Sequence, residues 1–309
     1  MANPTLPVQY PLGPPQVSGS TLTVDTMLRE PTRITRYISD LSLQRFFADQ
    51  VFSPIGGVSG GAILYTQLTY NDLYSTRDVA NVAPGAEFPI VSADRPTPQV
   101  AQVEKFGGKF AVTDEARDRN DPSAIQMESM KLANTINRKL HQRAVATLNA
   151  AITSDTTVGG NNWASVVTSG TSQATAQQWP AADLAKAQLV ADRTELGVDF
   201  NLLLVNPQEK ANFDIIYGAS SQSSAAVLAA YGLTMFATNR VAPGTAYLLA
   251  SGQVGVMGVE KPISTETWRE AEEQVTWVQT DVRPVFAVTN PYSVVKLTGI
   301  GPLDPNWKG

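Results

Sequence analysis

The residue types able to do chemistry are few in this chain and scattered. Gly57-Val58-Ser59-Gly60-Gly61 fits G-x-S-x-G, the pattern of a serine nucleophile held on a strained turn between a strand and a helix. The residues that follow, Ala62-Ile-Leu-Tyr-Thr-Gln-Leu68, alternate as a strand, so the expected reading is a flexible glycine loop. The one histidine, His141, has Asn137 and Val145 as its helical neighbours. With no second His and no Cys, no zinc site is expected, and His141 is expected to lie partly exposed on a helix surface. Gly252, Gly255 and Gly258 form G-x-x-G-x-x-G, which is neither a dinucleotide fingerprint nor a phosphate loop; tight strand turns account for them. Carboxylates gather at Asp114, Glu115 and Asp118 and at Glu270, Glu272 and Glu273. Such pairs serve glycosidases, yet acidic residues ahead of a helix or on an exposed strand need no catalytic role. Lys131, Arg138, Lys139 and Arg143 have two readings, a face toward nucleic acid or a solvated face with ion pairs such as Glu128–Lys131. No coherent catalytic, cofactor or metal site emerges, and none is expected.

The elements that would position these residues are clearer. Asp121 to Ile152 runs without Gly or Pro inside it after Pro122. Asp121 reads as N-cap and Pro122 as N1. Ile125, Leu132, Ile136 and Leu140 make an apolar stripe, and Ala144, Leu148 and Ile152 continue it after it has drifted round the axis. A helix over 122–152 of roughly 45 Å follows from its rise per residue. A drifting stripe implies that the helix packs on one neighbour first and a second later.

Residues 1–24 contain no charged side chain and five prolines, Pro4, Pro7, Pro11, Pro14 and Pro15. The segment reads as an extended arm that orders on a neighbouring surface. Thr32 to Gln50 is partly helical. Strands are expected at 61–68 and 99–106, joined by a span too long for a hairpin turn. A two-stranded ribbon is marginal on its own in water, so it is expected to lie on something else. Lys109–Thr113 is a further strand. Residues 156–182 carry no charge and read as a connector anchored by Trp163 and Trp179. Helices at 181–195, 207–218 and 225–231, with strands at 201–205, 232–238, 246–250 and 253–259, describe a compact α/β unit. Residues 262–283 form an acidic alternating stretch around Trp268 and Trp277, and 284–299 close the chain with β structure.

The chain has 309 residues, a net charge of −5 and no cysteine. Disulfides and thiol catalysis are excluded, and wholesale nucleic-acid binding through a basic surface is not indicated. Charged residues make up 17%, below the usual quarter, which suits a surface covered by partners. No apolar run is long enough to span a membrane, and MANPTLPVQYPLG lacks the features of a signal peptide; a soluble intracellular protein is expected.

Several stretches together resemble the major capsid proteins of tailed bacteriophages with the Hong Kong 97-like fold, most like those of actinobacterial phages. They are Gly60-Gly61-Ala62-Ile63-Leu64-Tyr65, Val82-Ala-Pro-Gly-Ala-Glu-Phe-Pro89, Val103-Glu-Lys-Phe-Gly-Gly-Lys-Phe110 with Thr113-Asp114-Glu115, Leu202-Leu-Leu-Val-Asn-Pro207, and Tyr292-Ser-Val-Val295. The likeness implies an α+β fold with an N-arm (1–56), an E-loop β-ribbon (57–106), a P-domain with the spine helix and connector (107–180), an α/β A-domain (181–260) and P-domain return strands (261–309). It implies a non-enzymatic subunit that self-assembles as hexamers and pentamers into an icosahedral virion shell, built in the host cytoplasm around double-stranded DNA without sequence-specific binding. Portal, separate scaffolding and decoration proteins are the implied partners, with no membrane and no cofactor. Tyr65, Tyr70, Tyr74, Arg77, Phe88, Trp163, Trp268 and Trp277 are the expected inter-subunit contacts. Some family members cross-link covalently through a Lys in the E-loop. Here the first Lys is Lys105, at the base of the returning strand, so no covalent mesh is expected. An encapsulin-type shell around a cargo enzyme is the alternative. A carboxylate-dependent hydrolase using Glu270 or Asp114, with a cleft in the 181–260 unit, is a third reading from another class.

Overall fold

A computed structural model describes residues 24–43, 47–69, 72, 79–90, 96–120, 122–218, 223–302, 304 and 307. All but the last residue of the arm expected over residues 1–24, and the Asp121 cap, lie outside the described residues. The chain runs α1 (Val24–Arg29), α2 (Pro31–Leu43), α3 (Ala48–Val51), β1 (Phe52–Gly57), β2 (Ala62–Thr66), β3 (Pro98–Gln102), β4 (Phe106–Thr113), α4 (Asp114–Asp118) and α5 (Pro122–Ala151). Then come β5 (Thr157–Gly159), α6 (Pro180–Arg193), β6 (Leu202–Val205), α7 (Pro207–Gly218), α8 (Ser224–Ala230), β7 (Thr234–Ala237), β8 (Thr245–Leu249), β9 (Gly255–Glu270), β10 (Val275–Val288) and β11 (Val294–Thr298).

The long helix α5 matches the sequence reading to within a residue at its C-terminal end. Its stripe does drift, and the drift has a structural cause. Ile125 and Ala133 pack with Val24, Leu28, Ile34 and Ile38 of α1 and α2 and with Phe110, Val112 and Val278 of the sheet. Ile136 and Leu140 then meet Val282. Ala144, Val145 and Leu148 belong to a different core, with Leu202, Leu204, Tyr247, Leu249 and Val294. One helix therefore ties together two sheets. At its far end Asn149 Oδ1 accepts hydrogen bonds from the Tyr247 hydroxyl at 2.9 Å and the Lys296 ammonium at 3.0 Å.

The first sheet has the order β1-β9-β10-β4. Strands β9 and β10 form a long antiparallel hairpin closed at Ala271–Gln274, where Gln274 adopts φ +53°. β4 pairs along β10 and β1 runs parallel to the start of β9. Helices α1 and α2 are fastened to β9 by the Thr267 hydroxyl donating to Leu28 O at 3.1 Å and by Thr265 N–H donating to Thr35 Oγ1 at 3.1 Å.

The second sheet has the order β5-β11-β8-β6-β7. Strand β6, Leu-Leu-Leu-Val, is buried on both faces, as expected of a strand covered on both sides. Leu203 and Val205 face α6 and α7, with Trp163, Phe213, Leu248, Val295 and Leu297. Leu202 and Leu204 face α5. Asn206 caps α7, accepting the Gln208 N–H at 3.0 Å.

Three expectations need correction here. The brief strand expected at 253–259 is the first half of the 16-residue β9, which pairs with β10; the boundary drawn at 260 falls inside a strand of the first sheet. The chain-closing β structure is split: β10 ends at Val288, and β11 crosses into the second sheet between β5 and β8. The uncharged connector contributes β5 to that same sheet.

Candidate functional site

The two-stranded ribbon β2–β3 stands apart from both larger sheets. Its inner side is held at the base: Ile63 packs where Gly258 leaves room, since an added Cβ there would lie 3.2 Å from Ile63 Cδ1 and 2.4 Å from Val58 Cγ2. Leu68 N–H and Glu104 N–H donate to Thr289 O and Pro284 O at 2.8 and 3.1 Å. The outer side is different. Leu64 and Val100 face each other across the ribbon and are 70% and 62% exposed. In the segment of chain between the two strands, Val79, Phe88 and Ile90 are also exposed, at 77%, 79% and 75%. Apolar side chains exposed singly are ordinary, but five within one stretch of chain, 64–100, mark a candidate interaction surface.

The predicted contact residues fall in different places. Phe88 is on this exposed segment. Tyr65 is half-buried on the ribbon, its hydroxyl donating to Gln99 Oε1 at 2.9 Å. Tyr70, Tyr74 and Arg77 lie outside the described residues. Trp268 and Trp277 are cross-strand partners near the closed end of the β9–β10 hairpin. The Lys109 ammonium sits 4.0 Å from the Trp277 ring centre and 5.9 Å from that of Trp268, within cation–π range. This cap on the tryptophan pair was not anticipated from the sequence, because it depends on β4 pairing beside β10.

Trp163 corrects an expectation. It is only 1% exposed and belongs to the core of the second sheet, so its side chain has no surface to offer another subunit. The residue that holds it is Asp183, in the first turn of α6. The fully buried Asp183 carboxylate accepts the Trp163 indole N–H at 3.0 Å, the Asn161 N–H at 2.9 Å and the Asn161 amide at 2.8 Å, with Lys186 Nζ at 3.3 Å. A buried carboxylate is tolerable when it is this well supplied with donors. The signal in the sequence was its position as the first charge after the long uncharged connector.

The chemical motifs resolve structurally. Ser59 lies between strands β1 and β2, with no helix after it; Gly60 and Gly61 adopt φ +87° and +76°, as a glycine loop would. His141 is buried, not partly exposed. Its ring stacks on Phe47 with centres 4.5 Å apart, and Nε2 accepts the Phe47 N–H at 3.4 Å. Phe47 directly precedes α3, and this contact closes the helix face that the local pattern left open. Burial, then the nearby Arg240 charge, push the His141 pKa down to about 4. Of the three spaced glycines only Gly252 sits at a turn, with φ +72°; Gly255 is inside β9, where a Cβ would lie 2.1 Å from Ala287 O. Asp114 binds Arg269 at 2.6 Å and Arg117 at 3.3 Å, and the Arg269 hydrogen bond holds its carboxyl below the usual range. Among the described residues no group of three or more His, Asp or Glu is placed to hold a metal ion, and no helix is long and apolar enough to cross a membrane.

The ribbon β2–β3 thus carries an exposed apolar pair, Leu64 and Val100, and the end of the β9–β10 hairpin carries a cross-strand tryptophan pair. The chain belongs to the phage capsid protein family, which matches residues 96–297. No curated protein matches it in sequence. Among solved structures it is similar to one from Mycobacterium phage Bobi, at 13% identity and TM-score 0.63, covering 84% of this chain and 92% of that one. A virus-like particle from Pyrococcus furiosus aligns at 14% identity and TM-score 0.61, over 86% and 98%. The capsid of Cyanophage P-SCSP1u aligns at 13% and 0.59, over 84% and 89%. The fold is thus the Hong Kong 97-like capsid fold, and the chain is a capsid shell subunit with a structural rather than an enzymatic role.

Proposed function

We propose that this subunit assembles as hexamers and pentamers into an icosahedral phage head that encloses double-stranded DNA, with the ribbon lying across a neighbouring copy. The single observation that carries the reading is the exposed apolar pair of the ribbon, Leu64 and Val100, with Val79, Phe88 and Ile90 exposed in the segment between its strands. An isolated subunit leaves that surface in water at a cost of roughly 25 cal/mol per Å², and a closed symmetric shell removes the cost at every copy. Tyr65, Trp268 and Trp277 are proposed to join the same contacts, and Tyr70, Tyr74 and Arg77 to extend them. Portal, scaffolding and decoration proteins would complete the particle in the host cytoplasm.

Sedimentation velocity with negative-stain imaging tests this. Closed shells, or hexamers and pentamers, are expected; a monomer under all conditions, with candidate scaffolding protein supplied, overturns it. Denaturing gels of mature particles are expected to show single chains without ladders. Lys105, at the foot of the ribbon, lies 3.9 Å from the Asp281 carboxylate, an alternative use for the first lysine of the chain.

A second reading, a compartment that encloses a cargo enzyme, is compatible with the shared fold of the virus-like particle from Pyrococcus furiosus. The contents of purified particles separate the two: nucleic acid supports the phage head, a co-purifying protein supports the compartment.

A further inference from the structure

Between β4 and α5 lies an open cleft of about 510 Å³. Phe106 of the strand and Leu132 and Ile136 of the helix give it an apolar floor. Gly108 lets strand and helix come close, since an added Cβ would lie 2.8 Å from Leu132 Cδ1. The charged residues of the lining are Lys105, Lys109, Lys131 and Lys139 against Glu128 alone, although acidic residues outnumber basic ones in the chain as a whole, 28 to 23. The four lysines are differently engaged. Lys131 is paired with Glu128 at 2.7 Å, and Lys109 lies over the tryptophan pair. Lys105 comes only to 3.9 Å from Asp281, a carboxylate that Lys261 already holds at 2.7 Å and Arg283 approaches at 4.0 Å. Lys139 is exposed and has no carboxylate within ion-pair distance among the described residues.

A surface that matches this cleft lies on the same chain. Residues 79–90 contain one charged side chain, Glu87, followed directly by Phe88, Pro89 and Ile90. Glu87 is exposed and has no cation within ion-pair distance among the described residues. Phe88 and Ile90 are 79% and 75% exposed. Just ahead, the Ala86 N–H donates to Ala83 O at 3.0 Å and Gly85 adopts φ +88°, the left-handed third position of a type II turn with Pro84 before it. The turn presets the direction of the residues that follow, which lowers the ordering cost of docking. No residue of 79–90 lines the cleft, so within one subunit the two surfaces are apart.

We infer that residues 87–90 of one copy dock in the β4–α5 cleft of the next, with Phe88 on the floor of Phe106 and Leu132 and the Glu87 carboxylate between Lys139 and Lys105. This docking deepens the shell reading, on which it rests for the presence of a second copy. The chemistry matches at both parts: an apolar anchor beside a single anion meets an apolar floor with a surplus of cations. The charges steer the approach and fix the register, while the buried aromatic side chain supplies most of the affinity. Segment and cleft are different surfaces, so the contact is head-to-tail. Copies joined by it form a ring where the rotation closes and a filament where it does not; a two-fold dimer is not its product.

The chain has no cysteine, so engineered thiols report on this contact alone. One full-length variant carries Glu87→Cys and another Lys139→Cys; both positions are exposed. Mixed and oxidised, as concentrated free subunits and as particles, they are expected to give disulfide-linked pairs with one chain of each kind, identified on non-reducing gels and by mass spectrometry. Adding Phe88→Ser to the first variant is expected to lower the yield of mixed pairs at least about tenfold. In the cysteine-free chain, Glu87→Lys is expected to weaken association by up to about fivefold per contact in sedimentation, and Glu87→Lys with Lys139→Glu to restore it. That recovery is a result a general disturbance of the fold does not produce. Absence of mixed pairs from both samples overturns the proposal. Pairs formed by either single variant with itself, in excess of mixed pairs, overturn it in favour of a two-fold contact. Particles without mixed pairs overturn the docking and leave the shell reading standing; mixed pairs without particles support the docking and remove the shell reading.

Discussion

Strand β6, Leu202-Leu-Leu-Val205, and strand β2, Ala62-Ile-Leu-Tyr-Thr66, are both short apolar strands, and they meet opposite fates. All of β6 is buried between α5 on one side and α6 and α7 on the other. In β2 only the Ile63 side finds a place against the first sheet, while Leu64 and its partner Val100 point into solvent. The difference teaches that one subunit has two kinds of apolar surface. One kind stabilises the monomer; the other is idle until a second chain arrives.

Core and ribbon substitutions should therefore separate folding from assembly. Trp163→Ala is expected to destabilise the subunit by about 3–5 kcal/mol, measured by denaturant unfolding, because it empties a buried site and strands the Asp183 carboxylate. Retention of wild-type stability would place Trp163 outside the core and reopen its role as a contact. His141 carries the next effect. Its folded pKa of about 4 lies below the ordinary value of about 6.5 for an unfolded chain. The unfolded state therefore takes up the proton first, and stability falls as pH drops from above 6.5 toward 4. A loss of about 2 kcal/mol between pH 7.5 and pH 5 follows, and His141→Gln should remove most of that pH dependence in the same unfolding measurement.

Glu209 tilts the other way. Its carboxyl is fully buried, accepts the Gly244 N–H at 2.8 Å, and is raised above its usual range first by burial. A raised carboxyl favours the folded state at low pH, and the contribution is lost as pH rises through the folded pKa. Glu209→Gln keeps an acceptor for Gly244, so the variant should gain stability relative to wild type between pH 5 and pH 8; thermal unfolding at the two pH values checks the sign. The smallest effect on the subunit is expected on the ribbon. Leu64→Ser with Val100→Ser should leave its unfolding free energy within about 0.5 kcal/mol of wild type, yet abolish large particles in sedimentation. Particles of normal size and yield from that variant would show that the ribbon is not what holds copies together.

Much of this was legible in local sequence. Helix 122–151, the strand at 202–205 and the helix after Asn206-Pro207 follow from periodicity, capping and proline placement, which are properties of neighbouring residues. The drifting stripe even announced that α5 has two partners. The misassigned pieces are those whose partners are remote. Residues 255–259 look like one more short strand of the α/β unit, but β10 extends past them and makes them half of a long hairpin. Val294–Thr298 follows that hairpin directly in sequence and pairs in the other sheet, with β5 and β8. His141 sits at an ordinary helix position until Phe47 covers it, and Trp163 looks like a surface anchor until Asp183 bonds its indole.

The candidate cleft divides in the same way. Of the four cations on α5, the sequence assigned a partner only to Lys131, in Glu128 three residues before it. That Arg143 also meets a carboxylate depends on Glu104, in the turn between β3 and β4. By itself the sequence determined the local elements and the scarcity of catalytic chemistry, because both are set by residue types and near-neighbour spacing. Tertiary structure alone decided which sheet each strand joins, which aromatic residues are interior and which cations converge, because pairing and burial bring together residues far apart in the chain.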